Sequence, residues 1–319
     1  MSQTTQKLST KKNQHELPNY LKKFIVEQDY QRYTPREQAT WRFIMRHSRS
    51  FFQKNAHAIY LEGLEKTGIP IDQIPYVQKM DAVLKEFGWG AVCVRGFIPP
   101  LAFLDFQSRC LLPIAADMRT LEHIAYTPAP DIVHEAAGHA PILADKSYRE
   151  YLNLYANLAR KAIFSDEDIR LYEAIRRLSD IKENPDSSEE DAHLAQEELT
   201  AAEKNITWST EASRIARFYW WTAEYGLVGS LQDPKIYGAG LLSSLGESES
   251  CLQPKTKKIP LSLDCTRMGY DITEPQPQLF VASSFTEINE LLAQLEQEMA
   301  FVRGGVYGLE LGKKAKTIT

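Results

Sequence analysis

The 319-residue sequence predicts a mainly α fold with a few short β-strands. Apolar residues recur at three- and four-residue spacings over residues 35–55, 75–87, 148–164 and 209–228, the pattern of helices with one stripe facing a core. Strand-like runs are few, short and close to the C-terminus. No segment repeats internally, and no linker divides the chain in two.

Residues 1–17 are polar and read as a disordered tail, with a single domain over 18–319. The helices 35–55, 75–87 and 148–164 come first. Residues 165–206 are charged, carry leucine and alanine at helical intervals and are broken at Asn184-Pro-Asp-Ser-Ser, so they read as an inserted helical hairpin with solvated faces. Residues 209–228 form the next helix, dense in aromatic side chains. Strands are expected near Ile259-Pro-Leu-Ser-Leu, over Gln278-Leu-Phe-Val-Ala and around Gly305-Val-Tyr-Gly-Leu-Glu-Leu, and residues 285–300 form a helix opened by Ser284.

Composition narrows the function class. With 37 basic and 42 acidic residues the net charge is −5, which argues against nucleic acid or an anionic membrane as the main partner. Cys93, Cys110, Cys251 and Cys265 form no Cys-x-x-Cys pair, so reduced thiols in the cytoplasm are expected. The polar start has no apolar run of a signal peptide, and no stretch reaches the roughly 18 apolar residues of a membrane helix.

Chemistry concentrates in Tyr126-Thr-Pro-Ala-Pro-Asp-Ile-Val-His134-Glu-Ala-Ala-Gly-His139-Ala-Pro141. Two histidines flanking a glutamate read as a metal site. Their spacing is 139 − 134 = 5, whereas the zinc-protease motif His-Glu-x-x-His separates its ligands by four. On a regular helix residues four apart lie about 40° apart, and residues five apart about 140°. Gly138 and Pro141 supply the freedom and the stop that let the helix distort or end and swing His139 back. A zinc hydrolase with Glu135 as its base, and two ordinary hydrogen-bonded histidines, are the competing readings.

The second feature is Arg217-Phe-Tyr-Trp-Trp-Thr-Ala-Glu224-Tyr-Gly-Leu-Val-Gly229, aromatic or apolar on nearly every side. A carboxylate buried there must neutralise, pair or bind metal. Arg214 or Arg217 would be its partner in a purely structural role. Two histidines and one carboxylate with open positions are the ligand set of non-haem iron(II) oxygenases.

Those two motifs, followed by Tyr237-Gly-Ala-Gly-Leu-Leu-Ser243-Ser-Leu-Gly-Glu247, resemble the successive signatures of the pterin-dependent aromatic amino acid hydroxylases. Weaker similarity runs upstream through Tyr33-Thr-Pro-Arg-Glu-Gln-Ala-Thr-Trp41, Gly68-Ile-Pro-Ile-Asp-Gln-Ile-Pro75 and Arg95-Gly-Phe97-Ile-Pro-Pro-Leu-Ala-Phe103, covering roughly residues 30–308. The resemblance implies a catalytic domain built as a helical basket around iron(II), with a tetrahydropterin as cofactor and dioxygen as co-substrate. It makes His134, His139 and Glu224 the iron ligands. Glu135 then borders the pterin instead of acting as a hydrolytic base, Phe97 stacks on the pterin ring, and the loop 92–97 that begins at Val92 wraps it, with Tyr219 nearby. Arg119 matches the group that holds the substrate's carboxylate, for which a planar guanidinium is suited. Thr127, Pro128, Trp220 and Tyr225 border the substrate. Ser243 supports His134 from behind, fixing its ring, and lies at the substrate site.

The chain departs from the family pattern in two places. The interval 224 − 139 = 85 is far longer than the resemblance implies, and the excess lies in the hairpin at 165–206. The stretch Phe106-Gln-Ser-Arg-Cys-Leu-Leu-Pro113 is also longer, and it lacks the histidine implied beside pterin and substrate. Neither a regulatory domain ahead of Tyr33 nor the family's long tetramerising helix is expected in this sequence, and the chain can be one part of a longer protein. The expected reaction is ring hydroxylation of an aromatic amino acid. L-phenylalanine is the expected substrate, because Ile272 matches a position that is apolar in the phenylalanine type and acidic in the tyrosine type. Tyrosine or tryptophan hydroxylation and a non-catalytic relative are the alternatives.

Overall fold

The computed structural model describes residues 17–96, 98–125, 130–184, 186–270 and 275–315. The architecture is mainly α with six short strands among the described residues. The helix Pro35–Asn55 shows why local sequence suffices in places. Thr34 accepts the Glu37 N–H while Glu37 accepts the Thr34 N–H, proline stands in the first turn, and Trp41, Ile44, Met45, Ser48 and Phe52 form the buried stripe. Trp41 also donates its indole N–H to the Pro70 carbonyl at 3.0 Å, fixing the helix against the following loop.

Strands β1 (Gly90–Val94) and β2 (Leu111–Ala115) are parallel neighbours, with Gly90 opposite Leu111 and Val92 opposite Pro113. Parallel strands need a crossover, and the helix Pro100–Ser108 provides it. The return to β2 passes through Cys110, the one described non-glycine residue in the left-handed region, with φ 58°. The second sheet has the order β4-β3-β6-β5, built from β3 (Leu227–Gly229), β4 (Pro234–Ile236), β5 (Lys257–Pro260) and β6 (Gln278–Ala282). In it β3 runs antiparallel to β4 and parallel to β6, and β5 runs parallel to β6.

Several elements differ from the sequence reading. Residues 209–228 do not form one helix: Glu211–Tyr219 passes into a wider π-helical segment, Trp220–Glu224, and the chain then enters β3. Gly226 marks the change, since a β-carbon there would meet the Thr222 carbonyl oxygen at 2.2 Å. The strand expected around residue 305 is instead the helix Gly305–Gly312. Its backbone pairs locally, Gly308 donating to Gly304 at 3.0 Å, because no strand lies alongside among the described residues to satisfy an extended chain. The segments 75–87 and 148–164 hold the helices Val77–Leu84 and Lys146–Ala159, the latter ending five residues early. The helix expected at 285–300 runs Phe285–Gln297, with Ser284 accepting the Glu287 N–H as its cap.

Residues 165–206 hold the helices Asp166–Glu183 and Glu189–Lys204, each opened by a serine–aspartate capping box. Ala174, Leu178, Ala195 and Leu199 form a small apolar seam between them. All four cysteines are free thiols. Among the described residues no helix is long and apolar enough to cross a membrane.

Candidate active site

His134 and His139 lie on the π-helical segment Val133–His139. Hydrogen bonding in such a segment runs i to i+5, so residues five apart stack as residues four apart do on an α-helix. The sequence reading had the helix distort or end near Gly138 and Pro141; the observed solution is a widened turn that continues into Ala140–Ile142. Gly138 serves a different need. A β-carbon there would lie 2.8 Å from the Ala239 carbonyl oxygen, so glycine lets the helix Ala239–Ser243 pack directly on the histidine segment.

Glu224 ends the second π-helical segment and faces both histidines. Its carboxylate oxygens lie 3.2 Å from His134 Nε2 and 3.0 Å from His139 Nε2. The donor atoms of the three residues all fall within 4.8 Å of one another, the one such group among the described residues. Glu224 is not paired with either arginine: Arg214 binds Glu298, and Arg217 reaches Ser209 and Ser213.

Burial resists charge on Glu224, yet the two histidines hold its carboxyl well below the usual range. Burial likewise resists charge on His134, but Glu224 outweighs it and pushes the imidazole up to about 9. Glu135 is buried next to His134 with its Oε2 3.4 Å from the Ala115 N–H, and burial pushes it up to about 8.

Ser243 fixes the ring of His134. Its hydroxyl donates to the Ala239 carbonyl at 2.7 Å, so at 3.2 Å it accepts from His134 Nδ1. A neutral His134 then keeps its proton on Nδ1 and turns the Nε2 lone pair toward Glu224, as a metal ligand requires. Two imidazole nitrogens and a carboxylate converge, with His134 and Glu224 still partly exposed, and this set fits a non-haem iron(II) ion.

Arg119 is buried beneath this group. Its Nε and Nη2 donate to Asp131 at 2.8 and 2.7 Å, and its Nη1 donates to the Ser243 carbonyl at 2.6 Å. Three of its five donors are thus used among the described residues, leaving two for another acceptor. Two nearby carboxylates are engaged elsewhere, Glu122 with Arg36 and Asp117 with the Gly96 N–H. Asp131 also accepts the His134 N–H at 3.0 Å, so one carboxylate joins the arginine to the start of the histidine segment.

Trp220 is stacked between Tyr225 at 4.6 Å and Tyr270 at 4.1 Å, and Tyr225 donates to the buried Glu247 at 3.0 Å. Tyr219 lies 6.2 Å from His139 between ring centroids and accepts from Gln107 at 3.4 Å. Val92 belongs to β1 rather than to a loop, so the connecting segment begins only at Arg95. Phe97, Thr127, Pro128 and Ile272 lie outside the described residues.

The model of the biopterin-dependent aromatic amino acid hydroxylases matches residues 11–172 and 192–302. The chain belongs to this family. The gap in the match falls within the inserted hairpin. Among its relatives, a phenylalanine-4-hydroxylase of Mesorhizobium japonicum is 29% identical over 88% of this chain and 86% of its own length. The phenylalanine-4-hydroxylase of Bos taurus is 31% identical over 81% of this chain, which spans 49% of that longer protein. The Chromobacterium violaceum phenylalanine hydroxylase, solved with bound oxidised Fe(III), superposes with a TM-score of 0.68 at 25% identity, covering 87% of each chain. The same enzyme solved with iron(III) and 7,8-dihydrobiopterin gives 0.68 over the same share. As a biopterin-dependent aromatic amino acid hydroxylase the protein is a pterin-using monooxygenase.

Three participants in the hydroxylase's polar network had no role in the sequence reading. Asp131 stands three residues before His134, where an aspartate accepts a helix N–H, and a buried arginine calls for a counter-charge; together those signals point to it. Glu247 closes the third motif and becomes visible only once Tyr225 is seen beside it. Gln107 has no local signal.

Proposed function

We propose that this chain is an iron(II)- and tetrahydropterin-dependent monooxygenase that hydroxylates the ring of L-phenylalanine to give L-tyrosine in the cytoplasm, from one catalytic domain over residues 18–319. The convergence of His134, His139 and Glu224 in a pterin-dependent hydroxylase carries the reading. The names of the relatives and the apolar Ile272 support phenylalanine over tyrosine.

The bound iron and tetrahydropterin supply dioxygen activation and ring oxidation. The chain supplies the geometry. His134, His139 and Glu224 hold the ion from one side, and Ser243 keeps His134 in the ligating tautomer. Asp131 aims the Arg119 guanidinium, whose remaining donors take the substrate carboxylate, so ring and metal are set by one polar network. Trp220, braced by Tyr225 and Tyr270, forms an apolar wall that excludes water from the ring. Phe97, Glu135 and Tyr219 border the pterin, and Thr127 and Pro128 border the amino acid.

Anaerobic loading with iron(II), then oxygen, tetrahydropterin and each aromatic amino acid, with products identified by mass, tests the reading. Tyrosine from phenylalanine is expected. No hydroxylated product from any of the three overturns it.

A further inference from the structure

The segment that follows β1 is held from several directions. The Ala116 N–H donates to the Val94 carbonyl at 2.8 Å, and the Gly96 N–H donates to Asp117 at 3.2 Å, with Gly96 in the left-handed region at φ 58°. Both of these contacts come from the residues just after β2. Beyond Phe97 the support changes source. The Ile98 carbonyl accepts from the Tyr172 hydroxyl at 3.2 Å, and Tyr172 belongs to the first helix of the inserted hairpin.

The hairpin is built to hold a group steady. Its helices share the seam of Ala174, Leu178, Ala195 and Leu199, and Arg177 binds Glu198 through both carboxylate oxygens at 2.6 and 2.7 Å. Its base is closed by Glu167, which accepts the Thr207 N–H at 2.9 Å and the Thr207 hydroxyl at 2.7 Å. Tyr172 lies near that base, one turn along from Glu167, where the arm is anchored at both ends. The Ile98 side chain is itself buried beside Leu21, Val94 and Phe106, so its carbonyl is presented in one direction.

We infer that Tyr172 is a positioning residue for the pterin: the hairpin holds Ile98 through this hydroxyl and so fixes the outer side of the segment that carries Phe97. The inference rests on the proposed role of Phe97 against the pterin. It gives the base of the hairpin a part in cofactor binding, at the last residue matched by the family model before the gap.

Tyr172→Phe removes one oxygen atom and keeps the ring. Binding of tetrahydropterin to the iron-loaded protein under anaerobic conditions, followed by calorimetry, is expected to weaken by about threefold to tenfold, the range open to the loss of one neutral hydrogen bond. Affinity for iron and for L-phenylalanine stays at the wild-type level. Amide hydrogen exchange at residues 95–98 quickens, while the protection of Leu178 and Leu199 is kept. Equal pterin affinity in the two proteins overturns the inference. So does a joint loss of pterin affinity, phenylalanine affinity and hairpin protection, which marks Tyr172 as merely structural. A wild-type protein that takes up no pterin removes the functional reading first, and this inference with it.

Discussion

In the basin formed by Val133–His139 and Trp220–Glu224, charged and polar side chains are buried against one another; in the hairpin of Asp166–Glu183 and Glu189–Lys204 the charges face water and only a thin apolar seam is covered. The two regions are both helical pairs, yet they answer to different physics. A buried ion left without its partner is costly, so the basin pairs Glu224 with its two histidines and Arg119 with Asp131. An exposed pair contributes little, so the hairpin can exchange its charges freely.

The largest effect that tests this contrast comes from the three converging donors. His134→Ala, His139→Ala or Glu224→Ala is expected to abolish iron-dependent turnover and to weaken iron binding by more than the roughly 10- to 100-fold that loss of a supporting group causes. Iron content after dialysis measures it, and a variant that retains iron contradicts the assignment. Next in size is Asp131→Asn. It leaves Arg119 buried without a counter-charge and is expected to cost about 3–5 kcal/mol of folding stability, read by denaturant titration. A loss under about 1 kcal/mol would place this pair with the surface ones.

Ser243→Ala frees the His134 ring and is expected to lower iron affinity by about 10- to 100-fold without unfolding the protein. A smaller effect depends on pH. The folded value of His134, about 9, lies above its ordinary 6.5. In the metal-free protein its pairing with Glu224 therefore stabilises fully below about 6.5, and that contribution is lost as pH rises through about 9. Iron must displace this proton, so its apparent affinity should rise with pH by up to about tenfold per unit until about 9. A flat profile between pH 6 and pH 8 would show that His134 is already neutral. The smallest effect belongs to the hairpin, where Arg177→Ala should change stability by no more than about 1 kcal/mol in thermal unfolding.

How much could be read in advance follows the same division. Pro35–Asn55 was legible because proline at its start and a stripe of apolar residues agree, and β6 because its apolar run is short and flanked by breakers. Strands β1 and β2 were not, since both carry nearly unbroken apolar residues buried on both faces, which periodicity cannot tell from a buried helix. Gly305–Gly312 misled because its mixed residues suit either state and the lack of a partner strand among the described residues is a tertiary fact. In the site, the types of His134, His139 and Glu224 could be read as ligand chemistry. That they converge was expected as well, but not the means, which are two widened turns and Gly138 lying against Ala239.

The widened turn also decides what a one-residue deletion would do. Removing Ala137 leaves His134 and His139 four positions apart, a spacing that an ordinary α-turn aligns as well as the wide turn aligns five. The pair of imidazoles can survive that change. Everything after them is rotated by about 100°. Pro141 would leave Gly63, where the two backbones approach so closely that a β-carbon on Gly63 would lie 2.0 Å from the Pro141 oxygen. The fifth residue therefore keeps time for the chain behind the ligands, and the length of the motif is a property of its packing as much as of its chemistry.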